Sequence, residues 1–511
     1  MGSDESKSYV TATDDAGCTL LRFEVDDGGE IDLWDQSEEE LTGTPMPELN
    51  IHFPASVRNF GAFFEWYELN DWIMIQNLYV AKENPVFASH DGALYSKDMT
   101  RLIFFPDRKS GPAVIPEGVT AIEPFMVSPR SNPKLESITL PASLTCLDGN
   151  PLSFCKNLTE INVAEKNPVY CSKDGILCSK DMSGLVCFPC GRKGAVEIPE
   201  GVASISGDAF AGCSGIQSLH LPASMGYIAK ERFEFLQNLE SISVAEDSEC
   251  FSSEDGVLYD KAKENLILCP EGKAGRLSVP ESVQSIDLID LMACKKLEAI
   301  DIQGTETIIE INKMKLINAN PGALEEIHVP AGHIKYESVD GVLYDKDLSQ
   351  LLFLPPHKGG IVTVPEGISE ISAQAIFLHS RIEILNIPAS LVRLNERLLE
   401  WCGRLREINI TEGNCLYASK DGIVYSKDMS TLIFCPRGKA GELVVIPDGV
   451  TRIAYGNIGL IWFKRLVIPA SITSIDKGTL EKGNFPIHVR EGNPVYELAG
   501  GMLRRKAGGK L

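Results

Sequence analysis

The chain repeats itself at a fixed length, and this constrains its fold more than any other feature. An Asp-Gly pair recurs at Asp91-Gly92, Asp174-Gly175, Asp255-Gly256, Asp340-Gly341 and Asp421-Gly422, with the glycines 83, 81, 85 and 81 residues apart. A Leu follows each glycine by ten residues (Leu102, Leu185, Leu266, Leu351, Leu432) and a Pro by fourteen (Pro106, Pro189, Pro270, Pro355, Pro436). Nothing is inserted or deleted between these marks, so the unit has a set size. Such self-similarity marks a repeat array whose units touch only their neighbours. It overrides the several independent globules that 511 residues would otherwise suggest.

The clearest copy runs from Ala418 to Pro436. Gly-Ile-Val-Tyr and Leu-Ile-Phe-Cys are β-prone runs, and Ser-Lys-Asp-Met-Ser between them is turn chemistry, because Asp and Ser bond to backbone two residues on. The Pro ends the second run, since it has no N–H for a ladder. The unit therefore predicts a protruding β-hairpin about every 81 residues, with positive φ at its glycine.

A second motif, Leu-x-x-Ile-x-Leu-Pro, lies between the hairpins. Leu135–Pro141, Ile216–Pro222, Leu239–Ala245, Ile382–Pro388 and Leu405–Thr411 are clear copies. Its last two apolar residues alternate and so share one face of a strand. Copies are spaced by 23 residues, or by 35 where a hairpin intervenes (Ala164 to Pro199). Repeats of 20–29 residues with one strand each stack their strands in parallel, giving a rod on the order of 75 Å for some sixteen coils. A third signal, Ala209-Phe-Ala-Gly-Cys213 and its relatives ending at Cys155, Cys294 and Cys402, predicts a short helical turn pointing inward.

These motifs together, best seen from Gly201-Val202 through Pro222 and joined to the Asp-Gly-Val-Leu-Tyr hairpin, resemble the BspA-like leucine-rich repeats over roughly residues 45 to 511. The resemblance implies an α/β-type leucine-rich-repeat solenoid of stacked parallel short strands. It also implies a bacterial, usually surface-exposed or secreted protein engaged in adhesion or protein binding, with no catalytic residues. Residues 1–44 lack the repeat and contain two strand-like runs, Cys18–Val25 and Glu30–Trp34, around Asp26-Asp-Gly-Gly29, which suits a cap on the first open edge. Copy three is irregular, with an enlarged loop at Asn320-Pro-Gly322. At the other end, Asn493–Leu503 repeats Asn167–Leu177, so a sixth hairpin starts, and the expectation is that the natural chain continues or that its last residues are frayed or held elsewhere.

Charge and composition narrow the function. A formal net charge of −23 opposes binding to nucleic acid or an anionic membrane. No run approaches the ~20 apolar residues of a membrane span. No signal peptide is visible at Met1-Gly-Ser-Asp-Glu-Ser, so a cytoplasmic location stands as the alternative to the secreted or surface location that the resemblance implies.

Six of the fourteen Cys recur in register, Cys155, Cys213, Cys294 and Cys402 at one position and Cys269 and Cys435 at another, and read as buried free thiols. Cys187-Phe-Pro-Cys190 is the one redox-style spacing, and a local disulfide there is its alternative. Lys-Asp in the turn (Lys97-Asp98, Lys180-Asp181, Lys346-Asp347, Lys427-Asp428) invites calcium, but copy three has Lys261-Ala262 with the hairpin otherwise intact, so turn geometry is favoured. Neither a metal nor a cofactor is expected, and no nucleophile–His–acid set assembles.

What remains is surface. The polar slot between the last two apolar residues of each strand holds His52, Thr139, Asn162, Glu197, His220, Ser243, Asp301, His328, Asn386 and Asn409, with His488 in the last copy. In a parallel stack these form an exposed ribbon, flanked by Glu160, Glu326 and Glu407. The hairpins repeat a tyrosine, Tyr95, Tyr259, Tyr344 and Tyr425, which either contacts a partner or packs on its own solenoid. The expectation is a non-enzymatic binding or adhesion protein with a protein or glycan partner. An intracellular scaffold or structural rod without a dedicated ligand is the alternative.

Overall fold

The structure is a computed structural model. It describes residues 8–13, 19–26, 31–32, 48–59, 74–106, 108–123, 134–147, 149–311, 322–372, 375–376, 381–394, 399, 402–454, 461, 463–480 and 485–506. Two compact units divide the chain, Met1–Lys261 and Ala262–Leu511. Each is a β-solenoid built from the same pair of sheets.

The first kind of sheet is parallel and made by the Leu-x-x-Ile-x-Leu motif. In the first unit Gly111–Val114, Leu135–Leu140 and Glu160–Val163 stand side by side, as do Gly194–Glu197, Ile216–Leu221 and Ser241–Val244. In the second unit Ala274–Val279, Lys296–Ile302 and Glu326–His328 do the same, followed by Gly360–Thr363, Ile382–Ile387 and Glu407–Ile410. Register is residue for residue: Ile138 faces Ile161 and Thr139 faces Asn162. Period-2 alternation then separates the faces, so Ile138, Leu140 and Ile161 are buried while Thr139 and Asn162 are not. Each buried aliphatic of this size contributes roughly 1.5–3 kcal/mol of transfer free energy, and the repetition places these rungs in the core of each unit.

The second kind of sheet holds the hairpin, and here the sequence expectation is corrected. The hairpin has three strands rather than two. In the second copy they are Tyr170–Lys173, Ile176–Ser179 and Gly184–Cys187. The Asp-Gly pair is itself the first turn, joining Lys173 to Ile176, with φ 51° at Asp174 and 74° at Gly175. Both signs are those of the two-residue turn that matches strand twist. The hairpin does not protrude as expected. Its central strand is buried along three of four residues, and Gly184–Cys187 pairs in parallel with the short strand Ser204–Ile205 of the next coil.

The α/β expectation is also corrected. The described residues contain one complete α-helix, the five residues Leu288–Met292, and two short 3-10 turns, Lys230–Phe233 and Arg437–Lys439. At the Ala-Phe-x-x-Cys signal the expected short helical turn is found: Ala211 and Cys213 N–H donate to the Asp208 and Phe210 carbonyls at 3.0 and 2.9 Å with Phe210 and Cys213 buried, and Leu288–Met292 leads directly into Cys294. At the amino end three described strands, Ser8–Thr13, Thr19–Val25 and Ile31–Asp32, form an antiparallel extension against Glu48–Phe53. The first of the three goes beyond the two strands expected there. The enlarged loop at Asn320-Pro321, most of Asp26–Gly29 and the last five residues lie outside the described residues. No helix among the described residues is long and apolar enough to cross a membrane.

Candidate binding face

The polar slots converge as rungs two or three residues wide, one rung per parallel sheet. In the first unit Thr139 pairs with Asn162, and Glu197 with His220 and then Ser243. In the second, Asp301 pairs with His328, and Thr363 with Asn386 and then Asn409. His52 lies between Thr11 and Tyr79, with its ring stacked 5.0 Å from that of Tyr79. All ten predicted face residues are half-buried or exposed. His488 of the last copy is exposed beside Val467. His52, His220, His328 and His488 each belong to a different sheet.

Neighbouring side chains within a rung bind one another. Asn409 donates through Nδ2 to Oδ1 of Asn386 at 3.1 Å, and Asn386 donates to Oγ1 of Thr363 at 3.0 Å. His220 Nδ1 lies 2.9 Å from Ser243 Oγ. Arg276 bridges Asp301 at 2.6 Å and Glu326 at 3.3 Å, while His328 Nε2 lies 3.0 Å from Glu326. The hydrogen bond and charge of His328, with those of Arg276, hold the Glu326 carboxyl below its ordinary value. The rungs are thus rows of mutually ordered amides, hydroxyls and charges.

The hairpin tyrosines do not join this face. Tyr95, Tyr259, Tyr344 and Tyr425 are 2%, 0%, 1% and 1% exposed, so the expectation of Tyr95, Tyr259, Tyr344 and Tyr425 as contact residues is corrected. Their strand is the middle one of three and their side chains point into the core; burial pushes the phenols of Tyr95, Tyr344 and Tyr425 up.

Three further devices hold the face in place, and of these only the positive φ of the turn glycine was read from sequence. In the first, the glycine of each Asp-Gly turn closes a parallel sheet. Its carbonyl accepts from Leu78, Ile161, Ile242, Ile327 or Ile408 N–H at 2.8–3.0 Å. A methyl placed on Gly422 would lie 2.8 Å from Cα of Glu407, so glycine is required by space as well as by φ.

In the second, a cation eighteen residues later clamps that turn. Lys109 Nζ lies 2.6 Å from Asp91 Oδ2, Lys358 Nζ lies 3.1 Å from Asp340 Oδ2, and Arg192 Nη2 donates to the Asp174 carbonyl. The recurrent spacing of that cation was the available signal.

In the third, a buried asparagine anchors the start of four hairpins. Asn84, Asn167, Asn414 and Asn493 are 0–1% exposed. Asn167 Nδ2 donates to the carbonyls of Pro141 and Leu144 at 2.9 and 2.8 Å, and its Oδ1 accepts from Val169 and Tyr170 N–H at 2.9 and 2.8 Å. Asn-Pro-Val, at three of the four, was the available signal, since an amide offers two donors and an acceptor in that short span.

The turn carboxylates are spent on the turn. Asp98 Oδ1 accepts from Ser96 Oγ at 2.6 Å, Thr100 N at 3.1 Å and Thr100 Oγ1 at 2.8 Å, and Asp181 and Asp428 repeat the pattern. These bonds hold all three carboxyls down at about 2. Among the described residues no cluster of three His, Cys, Asp or Glu could hold a metal ion.

No curated protein matches the chain. Among solved structures, a leucine rich cell surface protein from Faecalibacterium prausnitzii is 17% identical, covering 80% of this chain and 96% of that one, with a TM-score of 0.30. A leucine-rich repeat protein from Eubacterium ventriosum is 16% identical, covering 76% and 92%, with a TM-score of 0.26. The pneumococcal vaccine antigen PcpA is 16% identical, covering 80% and 87%, with a TM-score of 0.21. The family described as "BspA type Leucine rich repeat region" matches in six copies over residues 112–173, 187–267 and 359–437. Residues 112–173, 187–267 and 359–437 are thus BspA-type leucine-rich repeats.

Proposed function

We propose that the chain is a non-enzymatic binding protein, secreted or held at a bacterial cell surface, which offers its outward polar rungs to a protein or glycan. The observation that carries this reading is the lateral ordering of those rungs. In Thr363–Asn386–Asn409 each amide is fixed by its neighbour, and Asn409 at the end of the row is exposed. Side chains already held in one arrangement lose little entropy when a partner binds, which is how a shallow polar surface gains affinity. Rows of amides and hydroxyls suit the hydroxyls of a glycan or the backbone of a peptide. The surface location rests on the resemblance of the repeats alone.

The test is binding of the full chain to an array of glycans and a panel of purified extracellular proteins. Asn162→Lys with His220→Lys disturbs the face of the first unit, and Asn386→Lys with Asn409→Lys that of the second. Loss of at least about tenfold in affinity, as expected for residues central to an interface, with unchanged melting supports the reading. Unchanged binding by both pairs removes the face as the site.

A further inference from the structure

In the first unit two cysteines from different coils meet. Cys190 lies in the turn that leaves the second hairpin, and Cys213 in the turn that leads into the strand Ile216–Leu221. Their sulfurs are 3.0 Å apart, with Cys213 the donor, and Cys190 also points its thiol at the Ala211 carbonyl, 3.0 Å away. That separation is inside ordinary contact for two sulfurs and about 1 Å more than a disulfide bond of ~2.05 Å. Cys187, the partner suggested by the Cys-Phe-Pro-Cys spacing, lies in the hairpin strand with its sulfur 3.7 Å from the Phe188 carbonyl.

The pair is peculiar to this copy. Where Cys190 follows the hairpin proline, the other copies place Asp107, Glu271, Pro356 and Arg437, whereas Cys213 belongs to the recurring inward set with Cys155, Cys294 and Cys402. Of the five hairpins, only this one sets a cysteine directly after its proline, against the recurring inward position. Its turn is tied to the preceding coil as well, since Gly191 N–H donates to the Leu158 carbonyl at 2.7 Å and Arg192 Nε to that of Thr159 at 2.9 Å.

We propose that Cys190 and Cys213 are a disulfide site, closed by exchange with a small-molecule or protein disulfide while the turn is open during folding, so that the second hairpin is stapled to the coil after it. Cys190 sulfur attacks the donor disulfide and releases one thiolate. Cys213 then attacks the Cys190 sulfur of the mixed disulfide, gives up its proton and releases the second. Two protein thiols are oxidised to one disulfide, and the donor is reduced to two thiols. When the turn closes the two sulfurs are brought into contact, so the second attack needs only the last ~1 Å between them.

The test is to refold the reduced full chain in a buffer of oxidised and reduced glutathione, alkylate the remaining thiols, digest and map by mass. The expected result is a peptide pair joined through Cys190 and Cys213, two hydrogens lighter than its parts, in the unmutated chain and in Cys187→Ser. It is absent from Cys190→Ser and Cys213→Ser. The oxidised chain should melt on the order of 5 °C above the reduced one. Alkylation of both residues after oxidative refolding, or Cys190 found joined to Cys187, overturns the proposal. The map of the unmutated chain decides the matter even if a variant fails to fold.

Discussion

Two successive hairpins of the second unit have the same backbone and different chemistry. One begins at His333 and runs through Tyr336–Val339, Val342–Asp345 and Gln350–Phe353; the next begins at Asn414 and runs through Tyr417–Lys420, Ile423–Ser426 and Thr431–Phe434. Their registers match position by position, including the irregularity after Leu343 and after Val424. Yet Asn414 makes four hydrogen bonds where His333 makes three, with Nε2 3.0 Å from the Thr307 carbonyl and Nδ1 accepting from Lys335 and Tyr336 N–H at 3.1 and 3.2 Å. The turns differ too. Asp428 closes one through Ser426 and Ser430, while Asp345, the residue after the buried Tyr344, closes the other by accepting from Ser349 and Gln350 N–H at 2.7 and 2.8 Å. The slot therefore prescribes a donor on one side and an acceptor on the other, and more than one residue supplies them.

The largest effect is expected at the buried side chain that begins each hairpin. Asn414→Leu strands two carbonyls and two N–H groups without a partner, and should cost on the order of 3 kcal/mol of stability in chemical unfolding of the chain. Next comes the turn glycine common to both hairpins. Gly422→Ala should cost on the order of 2 kcal/mol, from a positive φ of 73° and the methyl's approach to Glu407, and Gly341→Ala should behave alike.

A smaller effect separates His333 from Asn414. Burial lowers the His333 pKa from its ordinary 6.5, and Nδ1 already faces two N–H donors, so the folded chain keeps the ring neutral. The unfolded chain takes up the proton first, so this contribution is complete above about pH 7 and is lost as pH falls through 6.5. Melting recorded from pH 7.5 to 5 should show that decline, and His333→Asn should flatten it. The least effect belongs to the exposed turn carboxylate. Its depressed folded value makes Asp428 stabilising above about pH 4, and the contribution is lost as pH falls toward about 2, a loss that Asp428→Asn should remove.

Much of the fold is legible in the sequence. The repeat length, the parallel rungs and the outward slot residues follow from period-2 alternation and fixed spacing, and the buried Cys155, Cys213, Cys294 and Cys402 follow from register. The tyrosines are misplaced when the Asp-Gly pair is read as the start of a strand rather than as a turn. Recognising the turn adds the strand before it, moves Tyr95 and its relatives to the middle of three strands and turns them inward. The α/β expectation fails because Ala-Phe-x-x-Cys gives only short helical turns, each under two turns long, among many strands. The Cys190–Cys213 contact is not legible, since residues brought together by coil stacking carry no local spacing signal.

Each unit has an inside and an outside, with hairpin tyrosines inside and the polar rungs outside. Tyrosine nitration of the native chain, mapped by mass, reads this division directly. Tyr79 and Tyr227, 45% and 69% exposed, should be modified, while Tyr95, Tyr259, Tyr344 and Tyr425 should react only after unfolding. Nitration of those four hairpin tyrosines in the folded chain, at the rate of Tyr227, would contradict it.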